Sequence, residues 1–232
     1  MTADTIEAES IEAKIDAHTR AELRDLGLFY DTETTGLPLF EKPSEDPRQP
    51  HVVQLGALLV DMDSREILEQ LDVIIRPDGW HIPEEAAKVH GITTQFALEV
   101  GIPAKEAFEH FLAMWGANGV VTRIGFNEPF DARLVRIGMF RHFDAQAADA
   151  WKLGLAHDVM RVVSPICKLP PTEAMKRAGR GKQFKQPKLS EAYRHFFGEE
   201  LTGAHGALAD ARATMRIHFH LEDLKRAERA AA

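Results

Sequence analysis

The sequence predicts an α/β domain built on a mixed sheet. Apolar runs of strand length alternate with amphipathic stretches at helical spacing, the first strands follow one another through short connections, and the later ones are separated by helical segments. Its 232 residues are enough for one domain with a proper core, and an apolar content of 44% is that of a globular protein.

The elements follow in order. Residues 1–25 are polar and acidic, with helix-like spacing of Ile6, Ile11, Ile15 and Leu23, and read as a helical or flexible extension. The domain spans 26–225, leaving 226–232 as a C-terminal tail. LGLFYDTET, 26–34, has the aromatic and β-branched content of a strand, closed by the turn former Gly36. PLFEKPSEDPRQP, 38–50, is a proline-rich loop. HVVQLGALLVD and ILEQLDVIIRP are strands reversed at DMDSRE, which makes an antiparallel meander. IPEEAAKVHGI, 82–92, is a short helix ending near Gly91, and 103–117 is an amphipathic helix with Phe108, Phe111, Leu112 and Trp115 facing inward. GVVTRIGF, 119–126, is a fourth strand followed by a helix over 130–143. AHDVM, 156–160, supplies a short fifth strand, and 188–198 and 207–224 complete the chain as helices.

Composition narrows the function classes. Cys167 is the only cysteine, so no internal disulfide forms and a reducing cytoplasm is expected. The longest apolar stretch, near 52–60, is too short to span a bilayer, and the acidic N-terminus has no hydrophobic signal region, so no membrane association is expected. A net charge of −8 argues against broad adhesion to nucleic acid but leaves room for a nucleic-acid enzyme with a local basic patch.

Four acidic positions and one histidine are candidates for chemistry. Side chains alternate along a strand, so Asp31 and Glu33 share one face while Thr32 points to the other. Two like charges beside an apolar strand repel each other, and a divalent cation held by oxygen ligands, Mg²⁺ or Mn²⁺, relieves that conflict. Alone, the pair also fits a strand ending in a solvated acidic turn. In GFNEPFDARLV, Asn127 is a natural N-cap and Pro129 suits a first turn, so Asp131 sits at the positive end of a helix, where an acid is favourable with or without a function. His205 precedes Asp210 by five positions, and His218 precedes Asp223 by the same interval. Residues five apart on a continuous helix diverge by about 140°. His205, flanked by Gly203 and Gly206, is free to turn back towards Asp210, whereas His218 and Asp223 lie within a helix and should point apart.

DTETTG, NEPFD and HGALAD, in that order, resemble the motifs of the DnaQ-like DEDDh 3′→5′ exonuclease family, and KVHGIT at 88–93 resembles a family segment between the first two. The resemblance runs from about residue 28 to about 222. It implies an RNase H-like fold, a mixed sheet of about five strands flanked by helices, in which Asp31, Glu33, Asp131 and Asp210 hold two metal ions and His205 is the general base. Two such ions clamp the attacking and leaving oxygens of an in-line displacement. An imidazole, with an ordinary pKa near 6.5, suits proton removal at working pH.

By the same matching, Thr34, Gly36 and Leu37 face the 3′-terminal nucleotide, with Leu37 packing on the last base. Glu85 contacts the terminal sugar, His90 lies beside it, and Asn127 is carried into the substrate site with its motif. Glu85 equally fits a solvated helix position, and His90 a cation at a helix C-terminus. KRAGRGKQFKQPK, 176–188, has six basic residues and no acid, so Lys182 and Lys185 can follow phosphates and Phe184 can stack on a base; an ordinary solvated loop is the alternative.

The sequence departs from the family at Phe126, where many relatives have histidine, at Glu128 in place of a small residue, at Gln54 in place of an acid, and in the long loop 37–50. The expected activity is 3′→5′ exonuclease cleavage of single-stranded DNA, with RNA as the alternative substrate. A proofreading or scaffold module that binds a DNA polymerase or repair protein is the alternative class.

Overall fold

The computed structural model describes residues 25–116 and 121–231, so the expected extension over 1–25 lies almost wholly outside the described residues. The sheet is built from β1 (Leu26–Thr34), β2 (Val52–Asp61), β3 (Ile67–Ile74), β4 (Val121–Gly125) and β5 (Ala156–Asp158), in the order β3-β2-β1-β4-β5. β1, β2 and β3 form the expected antiparallel meander, and β4 runs parallel to β1 and to β5.

β1 is buried on both faces, and the alternation of its side chains sorts the core into two layers. Leu26, Leu28 and Tyr30 join Leu55, Phe108, Phe111 and Trp151 on one side. Phe29 joins Leu58, Ile124, Val163 and Ile217 on the other. Full burial of side chains of this size contributes roughly 1.5–3 kcal/mol each. Edge-on contacts such as Tyr30 with Trp151, at 5.7 Å between centroids, add to it.

Helices α1 (Glu84–His90), α2 (Thr94–Val100), α3 (Ala104–Gly116), α4 (Glu128–His142), α5 (Ala145–Leu153), α6 (Val159–Cys167), α7 (Glu173–Arg177), α8 (Leu189–Phe197) and α9 (Ala207–Ala231) surround the sheet. α1 ends where expected: Gly91 adopts φ 75° and donates to the Ala87 carbonyl at 2.8 Å. In α3 the buried face is Ala107, Phe108, Phe111 and Met114, so Leu112 and Trp115 flank the core rather than centre it. α9 continues to Ala231, and the segment expected as a tail from 226 is helical to that point.

α2, α5, α6 and α7 were not read from the sequence. Each has a side chain capping its N-terminus: Thr93 accepts from Phe96 N, Asp144 from Ala147 N, Asp158 from Met160 N and Thr172 from Met175 N. In α6 the buried residues Val159, Met160, Val163 and Cys167 recur at helical spacing around an internal Pro165.

Candidate active site

The acidic end of β1 is assembled by the two-layer alternation. Asp31 and Glu33 follow Phe29 onto the layer that contains α9, whereas Thr32 follows Tyr30 onto the layer of α4. Asp210 stands in the first turn of α9 and reaches the same point: oxygens of Asp31, Glu33 and Asp210 all lie within 4.8 Å of one another.

Two residues of β2 seat that helix. A Cβ on Gly56 would stand 2.1 Å from Leu208 N and 2.2 Å from Ala207 C, so only glycine lets the first turn of α9 approach β2 this closely. Gln54, paired with Glu33 in the β1–β2 register, accepts from Ala207 N at 3.2 Å and donates to Asp72 Oδ1 at 2.7 Å. Its amide therefore satisfies one open N–H at the start of α9. A carboxylate at 54 would repel Asp72, which rationalises the departure from the family pattern.

Asp131 arrives from the opposite layer. β4 pairs with β1 only from Leu26 to Phe29, so that side of β1 lacks a strand partner beyond this point. Asp131 takes the place: its Oδ1 accepts from Thr32 N at 3.0 Å and from Thr32 Oγ1 at 2.6 Å. The four expected acids thus form a tight group of three, with Asp131 beside it rather than within it. One turn earlier on α4, buried Glu128 accepts from Tyr30 Oη at 2.9 Å and lies 3.4 Å from Arg123, which fixes α4 against β1. Neither Thr32 nor this buried triad was recognised in the sequence.

The electrostatics are those of crowded like charges. Burial, then Asp131, Asp210 and Glu33, push Asp31 well above the usual carboxylate range. Burial, Asp210 and Asp131 push Glu33 up to about 8. Burial raises Asp131 to about 7 against the opposing hydrogen bonds from Thr32, and burial also raises Asp210. Asp210 Oδ1 is buried and has no hydrogen-bond partner among the described residues. Hard oxygen donors, mutual repulsion and an orphaned acceptor are the conditions that divalent cations satisfy, so these residues fit the implied metal.

His205 is exposed and adopts φ 68°, which turns its backbone N–H towards Asp210 Oδ2 at 3.3 Å. It lies close enough to His90 for its charge to help depress that imidazole, whose shift is caused first by burial. A hydrogen bond with the Thr34 backbone opposes that lowering, and His90 Nδ1 accepts from Ile92 N at 3.1 Å.

Beside the acids, Thr34, Gly36, Leu37, Glu85, His90 and Phe130 line one cavity of about 370 Å³. The proposed nucleotide contacts from β1 and α1 therefore meet in one place, and Phe130 joins them unanticipated. Asn127, Lys182, Phe184 and Lys185 do not line it. Asn127 stands at the expected N-cap but in the left-handed region, φ 69°, and its side chain makes no capping bond; instead its backbone N–H donates to Asp158 Oδ1 at 3.0 Å. Lys185 Nζ is held by Glu191 Oε2 at 2.6 Å, a carboxylate that competes with the phosphate contact expected of it. Lys182 and Phe184 are exposed.

Among the described residues, no helix is long and apolar enough to cross a membrane. No curated relative matches the chain in sequence. Three similar structures are the zinc-bound E. coli exonuclease I complex with single-stranded DNA (TM-score 0.65, 21% identity), E. coli exonuclease I with a dA16 oligonucleotide (0.63, 20%) and a product-bound exonuclease I (0.63, 22%). Each match covers 84% of this chain but only 40%, 40% and 42% of the respective relative, so the chain spans about two fifths of the length of these proteins. They share its RNase H-like fold. The family model described as Exonuclease (RNase T) matches residues 28–218, from the strand that carries Asp31 to the helix that carries Asp210, and the chain belongs to this DnaQ-like DEDDh exonuclease family.

Proposed function

We propose that this protein removes nucleoside monophosphates from the 3′ ends of single-stranded DNA. The observation that carries the reading is the convergence of three mutually repelling carboxylates, one of which, Glu33, lines a cavity sized for one nucleotide. Asp31, Glu33 and Asp210, with Asp131 alongside, would hold two Mg²⁺ or Mn²⁺ ions, which when bound supply charge neutralisation for in-line attack on a phosphodiester.

The chain's own groups take the remaining tasks. Leu37 and Phe130 give the terminal base an apolar surface, and the backbone of Thr34 faces the terminal 3′-hydroxyl. Glu85 accepts from the sugar, and His90 packs beside it. His205, whose backbone N–H donates to Asp210 Oδ2, removes the proton from the attacking water. Single-stranded DNA is preferred over RNA as the substrate because the similar exonuclease I structures are complexes with single-stranded DNA and deoxyoligonucleotides. Action in the cytoplasm is part of the same proposal.

The test uses matched DNA and RNA strands labelled at either end and incubated with Mg²⁺. The 3′ label should leave first as a mononucleotide, faster from DNA, while a 5′ label traces a ladder, and EDTA should stop both. Release beginning at the 5′ end, or no shortening of either strand, overturns the assignment.

A further inference from the structure

Loop 38–50 begins at the Leu37 edge of the nucleotide cavity and is fixed from within. Gln49, only 2% exposed, donates to the carbonyls of Leu39 at 3.1 Å and Pro43 at 2.9 Å and accepts from Leu39 N at 2.9 Å. From α4, Arg133 donates to the carbonyls of Leu39 and Lys42, and Arg141 to those of Gln49 and Pro50. A loop tied this firmly would be expected to tuck its apolar side chains away. Instead Leu37 is 73% exposed, Leu39 39% and Phe40 62%. A conformation that holds a large aromatic ring in water suits a ligand that covers it.

The position of the ring indicates which ligand. The Arg133 guanidinium lies 5.7 Å from the Phe40 ring centroid, and Arg133 follows Phe130, a wall of the cavity, by one turn of α4. Leu37 and Phe130 line the cavity, while Phe40 and Arg133 lie three residues farther along the loop and the helix, outside its lining. An exposed aromatic face accepts any unpaired base, and a nearby guanidinium favours both the base and its phosphate.

We infer that Phe40, backed by Arg133, is a stacking platform for the unpaired bases upstream of the two 3′-terminal nucleotides. The inference rests on the exonuclease reading of the adjacent cavity. It also supplies a reason for single-strand preference, because bases inside a duplex have no free face to offer the ring.

The experiment measures binding of the full chain to oligodeoxynucleotides of two and of six residues, each protected by a 3′-terminal phosphorothioate. Phe40→Ala should weaken binding of the longer strand by roughly 5- to 100-fold and leave the dinucleotide unchanged. Phe40→Trp should restore it. The melting temperature should not move, since the ring is mostly exposed. Equal weakening of both strands, or no weakening of either, overturns the platform. If the wild-type chain shortens 3′ ends and Phe40→Ala shows no length dependence, the platform alone falls. If the wild-type chain neither binds nor shortens any strand, the exonuclease reading falls and the platform with it.

Discussion

The two histidine–aspartate pairs with identical spacing end in opposite physical states. At the head of α9, His205 leaves the helix at φ 68° and its backbone meets Asp210, whose other oxygen is unpartnered among four crowded acids. Three turns on, His218 is buried against Phe29 and His157 at 5.4 and 5.2 Å, while Asp223 pairs on the surface with Arg65 Nη1 at 2.9 Å. The first pair leaves crowded negative charge uncompensated; in the second Asp223 is ion-paired, and His218 is packed among rings with its Nε2 3.6 Å from Glu222. Motif spacing is the same in both, so what marks a site is the unresolved electrostatic conflict and not the interval.

The largest expected difference lies in the acids. Asp31→Asn or Asp210→Asn should abolish cleavage while raising the melting temperature of the metal-free protein at alkaline pH, because each removes an acid whose ionisation is opposed by burial. Every 1 kcal/mol gained should appear as about 2–4 °C. Asp223→Asn should leave cleavage intact. Retained turnover with Asp31→Asn would falsify the two-metal assignment.

Next comes the histidine exchange. His205→Ala should slow single-turnover cleavage by roughly 10²–10⁴-fold, with Mg²⁺ binding retained. His218→Ala should lower stability through lost ring contacts and leave the rate near normal. A slow His218→Ala enzyme with an unchanged melting temperature would reverse the two roles. Below these in size is the seating of α9. Gly56→Ala forces the helix away from β2 and should cost roughly 10²-fold in rate through misplacement of Asp210. Normal cleavage by that variant would show that the first turn of α9 tolerates the shift.

Much of this was legible in the sequence, for identifiable reasons. β1, β2 and β3 carry strong apolar content bounded by turn residues, and the motif acids sit at element ends whose direction is set by the two-residue period. Long-range pairings left no such trace. Nothing local shows that Thr32 would hold Asp131, that Gln54 would cap the helix bearing Asp210, or that Lys185 would be claimed by Glu191. α6 was missed because propensity reads its valines as strand, although Asp158 announces its start. Gly56 was the one available hint of a close approach, since an isolated glycine within a strand often marks a neighbouring backbone.

The smallest predicted effect separates the two regions by sign. Glu33 has its carboxyl raised from 4.5 to about 8, so between those values the folded metal-free protein holds a proton that the unfolded chain releases. Its contribution is fully present below about pH 4.5 and is lost as pH rises through about 8. His218 behaves in the opposite way: burial, with His157, Lys225 and Arg65, depresses it from 6.5 to about 4, so the unfolded chain binds the proton first. Its contribution is present above about pH 6.5 and is lost as pH falls towards 4. Melting temperature against pH, measured in EDTA, should therefore decline on both sides, with Glu33→Gln flattening the alkaline limb and His218→Gln the acid limb. Mg²⁺ binds the ionised acids, so its stabilisation should grow with pH and offset the alkaline decline. An alkaline limb that survives both Glu33→Gln and added Mg²⁺ would assign it to groups outside the acidic cluster.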